Sequence, residues 1–103
     1  MAYKVKVTES ADRDLDEILT YIMETLMNPK AADDFVDALE EKYTVLEEYP
    51  FICELSRNDR LANRGYRRVI IGSYVVLYLI DEEQQEVTVT RIFYGRQNYE
   101  KYV

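Results

Sequence analysis

The stretch that decides the fold spans residues 65–102, GYRRVIIGSYVVLYLIDEEQQEVTVTRIFYGRQNYEKY. It contains three short runs of β-branched and aromatic residues, separated by Gly72-Ser73 and by the polar segment DEEQQE. Such runs between turn residues are typical of strands joined by hairpins. Three strands in about 30 residues leave no room for the long crossovers that parallel pairing requires. The stretch therefore predicts an antiparallel meander with strands at 69–71, 74–80 and 87–93.

The preceding half of the chain predicts one strand and two helices. Residues 3–7 alternate apolar side chains with lysines, which favours a half-buried strand at or near a sheet edge. Apolar residues then recur at steps of three and four over 9–27 and again up to residue 48, as in amphipathic helices. The two stripes are Ala11, Leu15, Ile18, Ile22 and Leu26, then Ala32, Phe35, Leu39, Tyr43 and Leu46.

Capping residues mark where these helices begin and end. Thr8 and Asn28 stand where N-caps are expected, and Pro29 suits the first helical position. Pro50 ends the second helix. Residues 51–64 have no clear period and indicate a loop with room for one helical turn. The order is β-α-α-β-β-β, which predicts an α+β fold with a helical hairpin packed on one face of an antiparallel sheet.

Length and composition indicate one globular domain over residues 1–103. A chain of 103 residues can bury a single modest core. Cys53 is the only cysteine, so no intramolecular disulfide can form. The sequence shows no signal peptide and no apolar run long enough to span a membrane. We therefore expect a cytoplasmic protein with no membrane partner.

The residue types that are missing limit the chemistry. Histidine is absent, which removes the usual general base and the commonest metal ligand. One cysteine cannot build a structural zinc site, and the glycines are too far apart for a phosphate-binding loop. We expect no cofactor and no metal. Any acid–base chemistry has to use Glu, Asp, Lys, Tyr or Arg.

Charge is distributed unevenly along the chain. The formal net charge is −7. Residues 9–54 contain fourteen acids against three bases, a net charge of −11, whereas residues 57–80 contain five arginines against Asp59, a net charge of +4. A molecule polarised in this way can still present a basic face to an anionic partner.

Arginines of the meander are the first candidate functional residues. Arg67 and Arg68 are adjacent, so they point to opposite faces of their strand. Arg91 lies on a strand expected to be central, where an arginine is costly unless it is paired or exposed. One interpretation of Arg91 is an ion pair with an acid. The other is an anion or phosphate site formed by Arg68, Arg91 and Arg96, since the planar guanidinium binds phosphate bidentately.

Tyrosines near the C-terminus are the second candidates. Tyr94, Tyr99 and Tyr102 flank Arg96 in a short terminal segment. A tyrosine can stack on a nucleic-acid base or donate a proton, and the same residues could equally anchor the tail to the sheet. The many acids of the helices are interpreted as solvated outer faces that confer solubility.

The runs GYRRVIIGSYVVLYLID and VTVTRIFYGRQNYEKY resemble the C-terminal half of RelE/ParE toxins from bacterial type II toxin–antitoxin modules. In that family the last strand ends in arginine, two hydrophobic residues, an aromatic residue or histidine, glycine and arginine. Residues 91–96, RIFYGR, match this ending. The N-terminal strand with the helix that follows, and the junction NPKAA at 28–32, are also similar. The resemblance extends over nearly the whole chain.

The resemblance implies a growth-arresting, plasmid-stabilising toxin that a cognate antitoxin holds inactive. RelE-like members act as mRNA interferases that cut messenger RNA in the ribosomal A site, and ParE-like members poison DNA gyrase. For a metal-independent endoribonuclease, the catalytic residues implied here are Arg68, Arg96 and Tyr102. The residues implied to bind nucleic acid or another target are Arg67, Arg91, Tyr94 and Tyr99.

Some features depart from the nuclease pattern. RelE-like nucleases are strongly basic, whereas a net charge of −7 opposes approach to ribosomal RNA. Ile70 stands where RelE-like members carry a basic residue, and no obvious general base remains. An alternative from another class is a non-catalytic interaction domain that binds a partner peptide on the edge strand 3–7 or on the open sheet face.

Overall fold

The computed structural model describes residues 3–95. A strand leads into two long helices, a short helix and three further strands, which confirms the predicted α+β class and element order. The elements are β1 (Lys4–Val7), α1 (Glu9–Thr20), α2 (Pro29–Glu48), α3 (Asp59–Asn63), β2 (Arg67–Ile71), β3 (Tyr74–Asp81) and β4 (Glu86–Tyr94).

The four strands form one sheet in the order β1-β4-β3-β2. β2, β3 and β4 form the predicted antiparallel meander, but β1 pairs with β4 in parallel, so the expectation of a wholly antiparallel sheet is wrong at this edge. The reason is the helical hairpin, which returns the chain to the end where β1 began: the Tyr3 N–H donates to the Glu47 carbonyl at 3.1 Å. β2 therefore starts at the same end of the sheet as β1 but at the opposite edge, and after the reversal at β3 the strand β4 runs in the same direction as β1.

The N-caps lie where the sequence predicts them. The Thr8 hydroxyl accepts the Ala11 N–H and the Asn28 side chain accepts the Ala31 N–H, each at 3.1 Å. These side chains satisfy backbone donors that have no partner within the helix. Thr8 also donates to the Thr90 carbonyl at 2.9 Å, so the cap joins α1 to β4.

The first helix departs from the prediction at its end. Regular α-helix stops at Thr20 and continues as a π-helical turn, Tyr21–Thr25, in which the Leu26 N–H donates to the Tyr21 carbonyl at 3.1 Å. The extra residue in this turn shifts the apolar stripe around the helix. Ile22 stays buried, but Leu26 is 54% exposed, so its predicted place in the core is wrong.

The main core lies between the helical hairpin and one face of the sheet. It is centred on Tyr78, which is fully buried, with Leu39 and Leu46 of α2 packed above the strands. A smaller cluster on the opposite face joins Leu61 of α3 to the sheet. We call this opposite face the outer face. Across the described part of the chain, no helix is long and apolar enough to cross a membrane.

Candidate functional site

The predicted arginines of β2 point to opposite faces of the sheet, as expected. Arg68 is opposite Leu77 of β3, and Leu77 is opposite Arg91 of β4. Arg68 and Arg91 therefore flank Leu77 in one row across three strands of the outer face. Two of the three residues of the predicted anion site thus lie in the same row, with Leu77 between them. The third, Arg96, lies outside the described residues, as do Tyr99 and Tyr102.

A β-bulge in β4 places Arg91 on the outer face. Leu77 is opposite Arg91 but Tyr78 is opposite Val89, so Thr90 is the extra residue. Strict alternation from Val89 would have turned Arg91 towards the helices, because successive side chains point to opposite faces. With the bulge, Ile92 enters the core instead.

Arg68 is held by a carboxylate. Its Nη2 donates to a carboxylate oxygen of Glu54, and only 12% of the Arg68 side chain is exposed. The hydrogen bond from Arg68 lowers the pKa of the Glu54 carboxyl below its ordinary value. The Nε of Arg68 is buried, with no hydrogen-bond partner among the described residues. One edge of this guanidinium is therefore neutralised, while the Nε of the same group still has a proton to donate.

Arg91 is also paired. Its Nε and Nη2 donate to the two oxygens of Asp14 at 2.8 and 2.9 Å, and its guanidinium carbon lies 4.9 Å from the centre of the Phe93 ring. The pair is partly buried, with 24% of the Arg91 side chain and 13% of the Asp14 side chain exposed. The interpretation of Arg91 as a member of an ion pair is confirmed by this geometry.

Asp14 and Glu54 are the residues that sequence reasoning missed. Asp14 follows Ala11 by three residues and precedes Ile18 by four, so it lies on the same side of α1 as the apolar stripe. A carboxylate in that position needs a cationic partner, and this spacing could have identified it. Glu54 lies in the irregular segment 51–64, where no periodicity indicates its direction.

Arg67 serves a different part of the molecule. Its Nη1 donates to the Cys53 carbonyl at 2.6 Å, and its guanidinium carbon lies 5.1 Å from the centre of the Phe51 ring. The neighbouring Tyr78 hydroxyl donates to the Pro50 carbonyl at 2.9 Å, and burial raises the pKa of that phenol. Arg67 thus holds the segment after α2 against the helix-facing side of the sheet, away from Arg68 and Arg91.

Tyr94 lies in a groove between α1 and the C-terminal end of β4. The groove has a volume of about 950 Å³, and its walls include Ile18 and Tyr21 from the helical side. The Tyr94 ring meets Tyr74 edge to face, with 5.7 Å between ring centres, and 43% of Tyr94 is exposed. β1 ends opposite Val89, so within residues 3–95 this half of β4 has no neighbouring strand on that side. The groove therefore offers an open strand edge and exposed aromatic rings to a partner.

The chain matches a known protein family over most of its length. Residues 5–99 match the sequence model of a family described as ParE toxin of the type II toxin–antitoxin system, parDE. No curated protein matches the chain.

Solved structures with a similar fold come from toxin–antitoxin systems. A chain of a chromosomal ParDE system from P. aeruginosa aligns with a TM-score of 0.70 and 20% identity, covering 90% of this chain and 96% of that one. A chain of the RelBE2 complex from Mycobacterium tuberculosis gives 0.64 and 23%, covering 91% and 99%. A chain of the intact E. coli RelBE complex gives 0.61 and 16%, covering 93% and 100%. At these identities the structural likeness shows the fold alone.

Proposed function

The chain belongs to the ParE toxin family and is a type II toxin of the RelE/ParE superfamily, and from this premise we propose that it arrests growth by poisoning DNA gyrase. We further propose that a cognate antitoxin neutralises it. The structural relatives are themselves toxin–antitoxin systems or complexes, which supports an antitoxin as the partner. The choice between gyrase and messenger RNA rests on the outer face of the sheet.

The choice of gyrase depends on one observation, that Arg68 and Arg91 on the outer face are both paired with carboxylates. Cleavage of RNA by its 2′-hydroxyl needs a general base and free positive charge to stabilise the transition state. Arg68 and Arg91 are instead bound to the carboxylates of Glu54 and Asp14. The exposed residue of β2 on this face is the apolar Ile70, which is 48% exposed. This surface suits contact with a protein target better than contact with a polyanion.

The net charge of the protein also supports gyrase as the target. At a net charge of −7, the approach of this protein to ribosomal RNA is electrostatically unfavourable, because a polyanion repels an acidic partner. A protein target carries no such uniform charge. Gyrase is therefore favoured over the ribosomal A site as the target.

The groove between α1 and β4 is the proposed binding site of the antitoxin. It is concave and exposes Tyr94 and Tyr21, the kind of anchor for which interfaces are enriched. A segment placed there would cover the edge of β4 beyond Val89 and the side of α1 that carries Asp14. Neutralisation would follow because the segment would block the surface beside Arg91.

Induced expression in a bacterial host tests this proposal, with a gene carrying an early stop codon as the control. Expression should arrest growth, and co-expression of the adjacent reading frame should restore it. Purified protein should cause gyrase to accumulate cleaved DNA, while primer extension on a reporter message should show no cuts. Codon-phased cuts in the message would overturn the gyrase assignment. Folded protein that causes no arrest would favour a plain interaction domain instead.

A further inference from the structure

The turn between α1 and α2 carries an exposed apolar surface. Tyr21, Met23, Leu26 and Met27 are 49, 50, 54 and 81% exposed, although they lie within seven residues of each other. We call these four residues the tip patch. Single exposed apolar residues are ordinary, but several large ones within one turn favour an interaction site. Two methionines in such a group suit binding, because their flexible side chains adapt to a partner.

The backbone of this turn is unusual in two respects. Tyr21–Thr25 form a π-helical turn, which is rare and frequently occurs at functional sites. Met27 has a φ of 51°, in the left-handed region that side chains other than glycine and asparagine rarely adopt. Both features disfavour folding locally and both hold apolar side chains in water. Backbone outliers of this kind cluster at functional sites.

The tip patch is continuous with the groove already described. Tyr21 and Leu26 belong to the patch and also line the groove, together with the buried Ile22 between them. A partner that binds in the groove would therefore reach the patch through Tyr21 and Leu26.

Acidic residues surround this surface. Glu17 of α1 and Glu24 of the π-helical turn are both exposed. Asp33 of α2 is exposed as well, and Lys30 pairs with Asp34 at 3.0 Å, so the exposed cation that remains in the groove wall is Arg13, against the acids Glu17, Glu24 and Asp33. The whole segment 9–54 carries a net charge of −11. An approaching acidic segment would be repelled, and a basic one would be attracted.

We propose that the tip patch and groove bind a basic amphipathic segment, in which lysines and arginines flank apolar anchors, and that the antitoxin supplies this segment. The identity of the partner rests on the proposed function, but its chemistry rests on the charges around the patch. Association is steered electrostatically, so it is fast at low ionic strength and slows as salt is added.

Two charge-reversal variants of the full-length protein test the steering. Glu17→Lys/Glu24→Lys changes charge beside the patch, and Glu82→Lys/Glu83→Lys changes charge in the exposed β3–β4 turn at the other end of the sheet. Each pair raises the net charge of −7 by the same amount. The probe is the purified product of the adjacent reading frame, whose association rate is measured at low and high NaCl.

The first variant should associate about tenfold more slowly at low salt and show a weaker salt dependence, whereas the second should change the rate by less than about threefold. Equal effects of the two variants, or faster association by the first, would overturn the proposal. An adjacent product whose interacting segment is acidic would overturn it as well.

A second pair tests the apolar anchors. Met23→Ser/Leu26→Ser should speed dissociation about tenfold or more, since changes within one interface act mainly on the dissociation rate. Ile52→Ser, at a site 64% exposed in the loop after α2, is the control and should leave dissociation unchanged. Circular dichroism confirms that each variant is folded.

The outcomes separate the two proposals. If co-expression of the adjacent frame relieves growth arrest but neither the charge reversals nor the serine substitutions change the binding kinetics, the partner exists and this binding surface is wrong. If expression causes no arrest and no complex forms, both the proposed function and this inference are overturned.

Discussion

Asp14 and Arg91 are 77 residues apart in the chain, yet the carboxylate of one accepts hydrogen bonds from both the Nε and the Nη2 of the other. The same carboxylate accepts the Ile92 N–H at 2.9 Å. Since β1 ends opposite Val89, no strand in the described part of the chain supplies an acceptor there. Asp14 therefore gives β4 the acceptor that a longer β1 would have given, and it fixes α1 against the sheet.

Asp14→Ala should lower the free energy of unfolding by roughly 2–3 kcal/mol, because it leaves a partly buried guanidinium and the Ile92 N–H without their acceptor. Urea denaturation followed by circular dichroism measures the change. Glu17→Ala, an exposed site one turn further along α1, is the matched control and should change stability by less than about 0.5 kcal/mol. A loss no larger than that of the control would mean that the Asp14 contacts contribute nothing net.

Leu39→Ala should cost on the order of 2–5 kcal/mol, as expected for truncating a side chain in a packed core. Leu39 is 3% exposed and lies between α2 and the sheet. Val45→Ala on the same helix, at a site 38% exposed, should cost much less. The two denaturation midpoints can be compared directly, and similar midpoints would contradict the assigned core face of α2.

Tyr43 should make stability depend on pH in alkaline solution. Burial, aided by the charge of Asp12, raises the pKa of the Tyr43 phenol from 10.0 to about 12. Because the folded pKa lies above the unfolded one, the contribution of Tyr43 is complete below pH 10 and is lost as the pH rises towards 12. Tyr43→Phe should flatten the decline in unfolding free energy over this range. Tyr49→Phe, at a site 62% exposed, is the control, and a Tyr43→Phe curve that overlays it would contradict the assignment.

Arg96→Ala should relieve growth arrest without unfolding the protein. Arg96 ends the RIFYGR motif through which the chain resembles the toxin family, and it lies outside the described residues. Growth after induction is the readout, with circular dichroism to establish folding. Arg64→Ala, an exposed arginine after α3, is the control and should remain toxic. Undiminished arrest by folded Arg96→Ala protein would remove this residue from the site.

Much of the fold follows from local pattern. The caps at Thr8 and Asn28, the two helices and the three strands of the meander were all predictable, because capping, periodicity and turn chemistry act between residues a few positions apart. The core position predicted for Leu26 is wrong, because the spacing of apolar residues does not indicate the π-helical turn that precedes Leu26.

The candidate site was only partly predictable, because it depends on contacts between residues far apart in the chain. Alternation within β2 correctly separates Arg67 from Arg68, but the row of Arg68, Leu77 and Arg91 depends on cross-strand register and on the bulge at Thr90. A one-residue change of register turns every later side chain to the other face. No property of residues 86–94 taken alone specifies that change.

The sequence by itself determined the elements, their order, the polarity of charge and the absence of histidine, since these depend on composition and on neighbouring residues. Only the tertiary structure decided three features. β1 runs parallel to β4, Asp14 and Glu54 form ion pairs with Arg91 and Arg68, and a groove opens beside Tyr94. These features join segments as much as 82 residues apart, and such contacts are set by packing of the whole chain and not by any local preference.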